Sequence, residues 1–363
     1  MAGGAVDRPP ANVRAELHSL AEAHRVMPLA AWRINERGEA LHDWFDDASS
    51  LAEDLRRRAA IDLMRTHELR DLVDHMHAID GARPILIKGA ALAHTHYPES
   101  WLRPRLDTDM LVSPRSADAV RKRLREIGYE PVPSTSGELV MSQAAFDRID
   151  AHGLTHPLDL HWRISNWHVV GPLLPHDDVA DRSVCVPALG PHARAACPVD
   201  ALVLACLHRA AHHRDSDELL WLYDIHVVAT GLTADEWRNV EHLAERTGTT
   251  AVCARGLQMA RNRFRTPLAA AIAERLSAWA GNATTEPAAV YLSRTLSQFD
   301  GLRADLRALP PRGRLRLLRE HLFPPVSYIR EKYGTRSHAG IGWSYMRRIL
   351  AGVPKWFARA PRS

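Results

Sequence analysis

The chain has 363 residues, of which 46% are hydrophobic and 25% charged. That is an ordinary globular composition, long enough for roughly two or three domains, and it excludes a fibrous or intrinsically disordered protein. The formal charge of +4 is a weak excess, with arginines interleaved among acidic residues, so charge alone does not argue for a nucleic-acid partner. Four cysteines at 185, 197, 206 and 253 form no Cys-x-x-Cys and match no zinc spacing, which excludes a zinc-finger or disulfide scaffold and reads as reduced thiols. No apolar run approaches the roughly 20 residues of a bilayer span. The first residues lack a signal-peptide pattern, so a cytoplasmic protein is expected.

In chain order, residues 1–12 are rich in Gly, Ala and Pro and read as a disordered start. Leu17, Leu20, Ala21 and Val26 recur at helical spacing between Val13 and Trp32. Asp47-Ala-Ser-Ser is an N-cap region, and Leu51, Leu55, Leu63, Leu72, Val73 and Met76 mark a helix running to about Ile79. Gly81 stops that helix and Pro84 restarts the chain as a strand. Ile85-Leu86-Ile87 is the short apolar run of a doubly covered strand, and a helix follows from Gly89 to about His96. A second strand covers Asp107–Val112, and a helix covers Ser116–Ile127. Strands are expected at Tyr129–Val132 and Glu138–Ser142. His156–Ile164 alternates with period two: Leu158, Leu160 and Trp162 against Asp159, His161 and Arg163.

After about Val186 the pattern becomes helical. Segments are predicted at 199–214, 216–230, 234–247, 249–264, 267–280, 286–299, 312–321, 325–333 and 342–351. The domains expected are an N-terminal segment 1–83, an α/β core 84–190, an α-helical region 191–345 and a basic tail 346–363. That tail carries Arg347, Arg348, Lys355, Arg359 and Arg362 with Trp356 and Phe357, a pattern suited to nucleic acid or an anionic membrane when it is not simply solvated.

The chemistry concentrates in 84–112. Strand residues two apart share a face, so Asp107 and Asp109 reach one point while Thr108 points away. Two neighbouring carboxylates repel unless a cation lies between them. Alone, Asp-x-Asp reads as solvated polarity at a strand edge; the flanking Lys88-Gly89 turn and arginines shift the reading to a metal site. Asp159, on the polar face of a later strand, supplies a third carboxylate if that strand lies beside the second. Three carboxylates with water and phosphate oxygens suit one or two Mg²⁺ (or Mn²⁺) ions, which would bind a triphosphate and steady the departing pyrophosphate. Gly89 lets a phosphate approach the backbone, and Lys88, Arg103 and Arg105 carry charge for its oxygens. One of the two arginines is expected to contact substrate and the other to serve structure. His161 shares the face of Asp159 and is read as a supporting polar residue. His208, His212 and His213 lie on one predicted helix; with no third and fourth ligand fixed by spacing, they read as packing and capping residues before a zinc site.

These residues carry a family resemblance. The order Leu-x-Lys-Gly-x-x-Leu-Ala (Leu86–Ala93), Tyr97-Pro98, Arg-x-x-x-Asp-x-Asp-x-Leu-Val (Arg103–Val112) and Asp-Leu-His-Trp (Asp159–Trp162) resembles the bacterial uncharacterised nucleotidyltransferase family, within the DNA polymerase β-type superfamily. Leu222–Ile225 and Phe323–Gly334 resemble it as well. The resemblance implies an α+β fold: a minimal nucleotidyltransferase core, a mixed β-sheet flanked by helices, with N-terminal helices and a large all-α C-terminal region. It implies a metal-dependent enzyme moving a nucleoside monophosphate from an NTP to a small-molecule, sugar or protein acceptor. Asp107, Asp109 and Asp159 would be the metal ligands. Lys88-Gly89 stands where most of the superfamily has Gly-Ser or Gly-Gly, so the usual serine contact to phosphate is absent and a lysine occupies its place. Two alternatives stay open: a toxin-type enzyme modifying tRNA, and a catalytically silent nucleotide-binding protein of the same fold.

Overall fold

The computed structural model describes residues 9–132, 139–335 and 337–357. The N-terminal segment holds α1 (Ala11–Ala23), α2 (Met27–Glu36), the short α3 (Leu41–Trp44) and the long α4 (Ala48–His77). The helix expected across Val13–Trp32 breaks where Arg25 adopts a φ of 55° and Pro28 opens α2. Asp47 caps α4 as predicted, its side chain accepting from the Ser50 N–H.

The core follows as β1 (Ile85–Ile87), α5 (Lys88–Thr95), β2 (Thr108–Leu111), α6 (Ala117–Glu126), β3 (Glu130–Pro131), β4 (Gln143–Ile149), β5 (Thr155–His161), α7 (His176–Arg182), β6 (Val184–Cys185) and β7 (Arg194–Ala195). The C-terminal helices are α8 (Pro198–Ala211), α9 (Leu219–Gly231), α10 (Ala234–Thr247), α11 (Thr250–Phe264), α12 (Ala270–Gly281), α13 (Gln298–Ala308), α14 (Pro311–Leu322), α15 (Val326–Tyr333) and α16 (His338–Phe357). This is the α+β arrangement expected: one mixed sheet flanked by helices, with a helical C-terminal region.

Two expected elements shift. The strand sought at 138–142 lies at β4, residues 143–149, and Glu138 falls outside the described residues. Phe146 is the one buried residue of β4, so its sequence pattern is faint; pairing with β5 and the Asp150 turn fix its place, Asp150 accepting from the N–H groups of His152 and Leu154. The helix sought at 286–299 is a 3₁₀ turn, Pro287–Leu292, followed by α13. A reciprocal capping box between Ser297 and Asp300 starts α13 there. Residues 346–357 of the expected tail belong to α16, and 358–363 lie outside the described residues. Among the described residues no helix is long and apolar enough to cross a membrane.

The sheet order is β3-β4-β5-β2-β1-β7-β6, with β2 parallel to β5 and β1 parallel to β7. Alternation assigns its two faces. Leu86, Met110, Phe146, Leu158 and Leu160 pack with Leu72 and Met76 of α4 and Val120 and Leu124 of α6. Ile85, Ile87 and Leu111, on the other face, join one core with Leu202 and Leu207 of α8, Ile225 of α9 and Val252 of α11. Each fully buried aliphatic contributes about 1.5–3 kcal/mol, so both faces are firmly closed at the centre of the sheet. The face beneath α8 and α9 is the one on which the acidic residues of β2 and β5 emerge.

The segment after β5 is pinned by α13. Buried Asp305 accepts from the Val169 N–H at 3.2 Å, and an added Cβ at Gly301 would meet the Trp167 ring at 3.0 Å. Burial pushes the Asp305 carboxyl up to about 7, against the opposing pull of the Val169 and His168 N–H groups. Between the usual carboxylate value and about 7, the folded chain binds a proton that the unfolded chain has released. The stabilisation from this group is therefore complete at low pH and falls away as pH rises toward neutrality. Asp305→Asn is expected to remove that decline, a difference of at most about 4 kcal/mol. Thermal unfolding at acid and mildly alkaline pH checks this: a variant with the wild-type slope would refute it.

Candidate functional site

The ladder brings the predicted carboxylates together. In the parallel pairing of β2 and β5, Asp109 stands opposite Asp159, and Leu111 opposite His161. In the antiparallel pairing of β1 and β2, Ile87 stands opposite Asp109, which delivers the next residue, Lys88, to the same point. Lys88 turns with a φ of 54°, in the left-handed region that a side chain ordinarily avoids. Its Nζ lies 2.6 Å from Asp109 Oδ1 and 3.4 Å from His161 Nε2, while His161 Nε2 lies 2.8 Å from the same Asp109 oxygen.

These contacts set the charges. Burial alone would raise the Asp109 carboxyl, but the Lys88 ammonium and the bond to His161 hold it well below the usual carboxylate range. Burial and the Lys88 ammonium push His161 down, only partly offset by Asp109. The imidazole is therefore neutral; its Nε2 lies against Asp109, and its buried Nδ1 is left without a hydrogen-bond partner. Asp159 is half-buried and accepts from Gln143 Nε2 at 3.2 Å; desolvation and repulsion from Asp109 raise it. Asp107, just ahead of β2, is exposed, yet crowding of its carboxyl and repulsion from Asp109 and Asp159 raise it too.

Asp109, Asp159 and His161 each present one ligand atom, and these lie within 4.8 Å of one another. Two carboxylates and an imidazole form a donor set that fits a hard divalent cation, Mn²⁺ accepting the nitrogen more readily than Mg²⁺. Asp107 is outside that triple but close enough to share its field. His161, expected only as a supporting residue, stands inside the triple.

The predicted arginines are both committed within the protein. Arg103 Nη2 and Nε bond Asp224 of α9 at 2.7 and 3.1 Å, and Nη1 donates to the Pro104 carbonyl. Tyr97 donates its hydroxyl to the same Asp224 at 2.7 Å. The guanidinium lies over Gly89: a Cβ there would sit 2.8 Å from Arg103 Nη1. Arg105 reaches Asp62 of α4 at 2.9 Å and His94 of α5 at 3.1 Å. Tyr97, Arg103 and Asp224, separate in the sequence motif, are thus one buried network bracing the Lys88-Gly89 turn against α9.

Helix α8 roofs the site. Burial and the Lys88 ammonium push His208 well below its ordinary value and His212 down to about 3. His212 bonds Ser165 Oγ at 3.0 Å, His213 stacks on Trp221 at 3.5 Å, and the Arg25 guanidinium lies 4.8 Å from the Trp221 ring. These neutral rings are packing residues, as expected, and the metal-competent grouping found among the described residues is the one on β2 and β5. A cleft between turn and roof is lined by Lys88, Gly89, Arg103, His208, Trp221 and Asp224. Asp224 stands out in the sequence only as part of the Leu222–Ile225 resemblance, with nothing to mark Arg103 and Tyr97 as its partners, and Gln143 carries no motif.

A mixed sheet with acidic residues in register on adjacent strands, next to a glycine turn opening a helix, is the framework of a nucleotidyltransferase. A model of the uncharacterised nucleotidyltransferase family matches residues 13–265, and the chain belongs to that family. No curated protein matches it. Helices α12 to α16 lie beyond the matched stretch.

Proposed function

We propose that the chain is a divalent-metal-dependent nucleotidyltransferase that moves a nucleoside monophosphate from an NTP to an acceptor hydroxyl. Asp109 and Asp159, with His161 beside them and Asp107 at the rim, would hold Mg²⁺ or Mn²⁺. The observation that carries this reading is the in-register pairing of Asp109 with Asp159, their ligand atoms within 4.8 Å of each other and of His161. Such a cation supplies charge neutralisation on the phosphate oxygens and lowers the pKa of a bound hydroxyl.

The residues around it have separable tasks. Lys88 neutralises Asp109 in the resting protein, and its flexible four-carbon stem lets the ammonium reach a phosphate oxygen of the donor. Asp159, raised above its ordinary value by desolvation and the neighbouring Asp109, takes the acceptor's proton. The acceptor oxygen bonds to the α-phosphorus, the bond from that phosphorus to the bridging oxygen breaks, and pyrophosphate carries away the electron pair. Arg103, Tyr97 and Asp224 position the turn and do not touch phosphate. The four cysteines are free, which supports a reducing, cytoplasmic setting.

Pyrophosphate release with each NTP in turn, in Mg²⁺ or Mn²⁺ and with a chelator, tests the proposal. Release that requires the metal and disappears in Asp159→Asn supports it. Nucleotide binding by calorimetry with no release under any condition would instead identify a silent binding protein.

A further inference from the structure

The charge of the chain is unevenly divided. Residues 311–363 contain 12 Lys and Arg against two acidic residues, a net of +10, whereas the whole chain is +4, so residues 1–310 are net −6. This basic segment lies wholly beyond the stretch matched by the nucleotidyltransferase family.

Helix α16 carries a second asymmetry. Its inner face is committed: Ile341 and Ser344 are buried, the Tyr345 hydroxyl bonds the Pro324 carbonyl and Arg348 bonds the His321 carbonyl. Its outer face presents Trp343, Met346 and Leu350, 65%, 55% and 67% exposed. Three- and four-residue spacing puts these three in one line, and exposed Arg347 flanks them. Phe323, also 55% exposed, lies tilted against the ring of Tyr345 of α16.

We propose that this face of α16 docks the protein on an anionic lipid surface. A bilayer accepts both halves of the pattern: apolar side chains enter below the headgroups, tryptophan favours the interface, and the basic excess is attracted to anionic headgroups. Nucleic acid would match the charge but leave Met346 and Leu350 without a partner. A second copy apposed through the same face would bring two segments of net charge +10 together. The helix lies on the bilayer; it is too polar to cross.

Co-sedimentation of the full chain with lipid vesicles tests the proposal. Binding is expected to vesicles containing about 30% phosphatidylglycerol and not to pure phosphatidylcholine, and to weaken steeply in about 0.5 M NaCl. Trp343→Ser/Leu350→Ser should reduce partitioning at least about tenfold while leaving circular dichroism unchanged, because both side chains are exposed. Three outcomes would overturn it: no partitioning onto anionic vesicles, tRNA binding that this double variant abolishes, or a concentration-dependent dimer that it abolishes.

Discussion

Asp109→Asn is expected to lose at least about 10³-fold in nucleotidyl transfer and, unlike a substitution at an open site, to destabilise the fold. The sequence alone suggests that both aspartates of Asp-x-Asp sit at an accessible mouth, where a change would leave the fold nearly untouched. Asp109 is instead buried, and its ion pair with Lys88 has side chains only 9% and 10% exposed. Removing one member of a buried pair strands the other, at a cost of about 3 kcal/mol. Lys88→Met/Asp109→Asn should therefore recover part of the stability lost by Asp109→Asn and none of the activity. Asp107→Asn, at an exposed carboxylate, should change stability by no more than about 0.5 kcal/mol while lowering turnover. Denaturant unfolding and pyrophosphate release on the four proteins separate these effects. Wild-type turnover in Asp109→Asn would end the metal assignment.

Arg103→Met is expected to produce the largest loss of stability. The guanidinium and the Asp224 carboxylate are 8% and 6% exposed, and the substitution leaves Asp224 buried with the Tyr97 hydroxyl as its remaining donor. The cost should be about 3–5 kcal/mol. Gly89→Ala presses on the same group, since the new methyl would lie 2.8 Å from Arg103 Nη1; about 1–3 kcal/mol is expected for such overpacking. In Gly89→Ala/Arg103→Met the clash is gone, so the combined loss should fall short of the sum. An Arg103→Met protein as stable as wild type, but with a greatly raised KM for NTP, would return this arginine to the phosphate.

The legibility of the site followed the range of the interactions. Asp107, Asp109 and Lys88 are close in sequence, and the two-residue strand period and a glycine after an apolar run suffice to single them out. Asp159 and His161 were visible as polar members of a period-two strand, but neither spacing nor composition could say that His161 would come to lie with Asp109 and Asp159. That depends on β5 lying parallel to β2 with Leu111 opposite His161. The arginines show the same limit from the other side: a guanidinium near a glycine turn suggests phosphate, and only the placement of α9 and α4 reveals Asp224 and Asp62 as their partners.

The sequence by itself determined the α+β plan, most helices, the family and the charged residues of the candidate site, because local periodicity, capping and motif spacing are written in contiguous residues. The tertiary structure alone decided how those charges are paired. Lys88, Asp109 and His161 meet through β-ladder register, Arg103 is drawn to α9, and Trp343, Met346 and Leu350 stay outside because the opposite face of α16 is the one that packs. Pairing in a low-dielectric interior depends on which distant strands and helices become neighbours, and that information is spread over the whole chain.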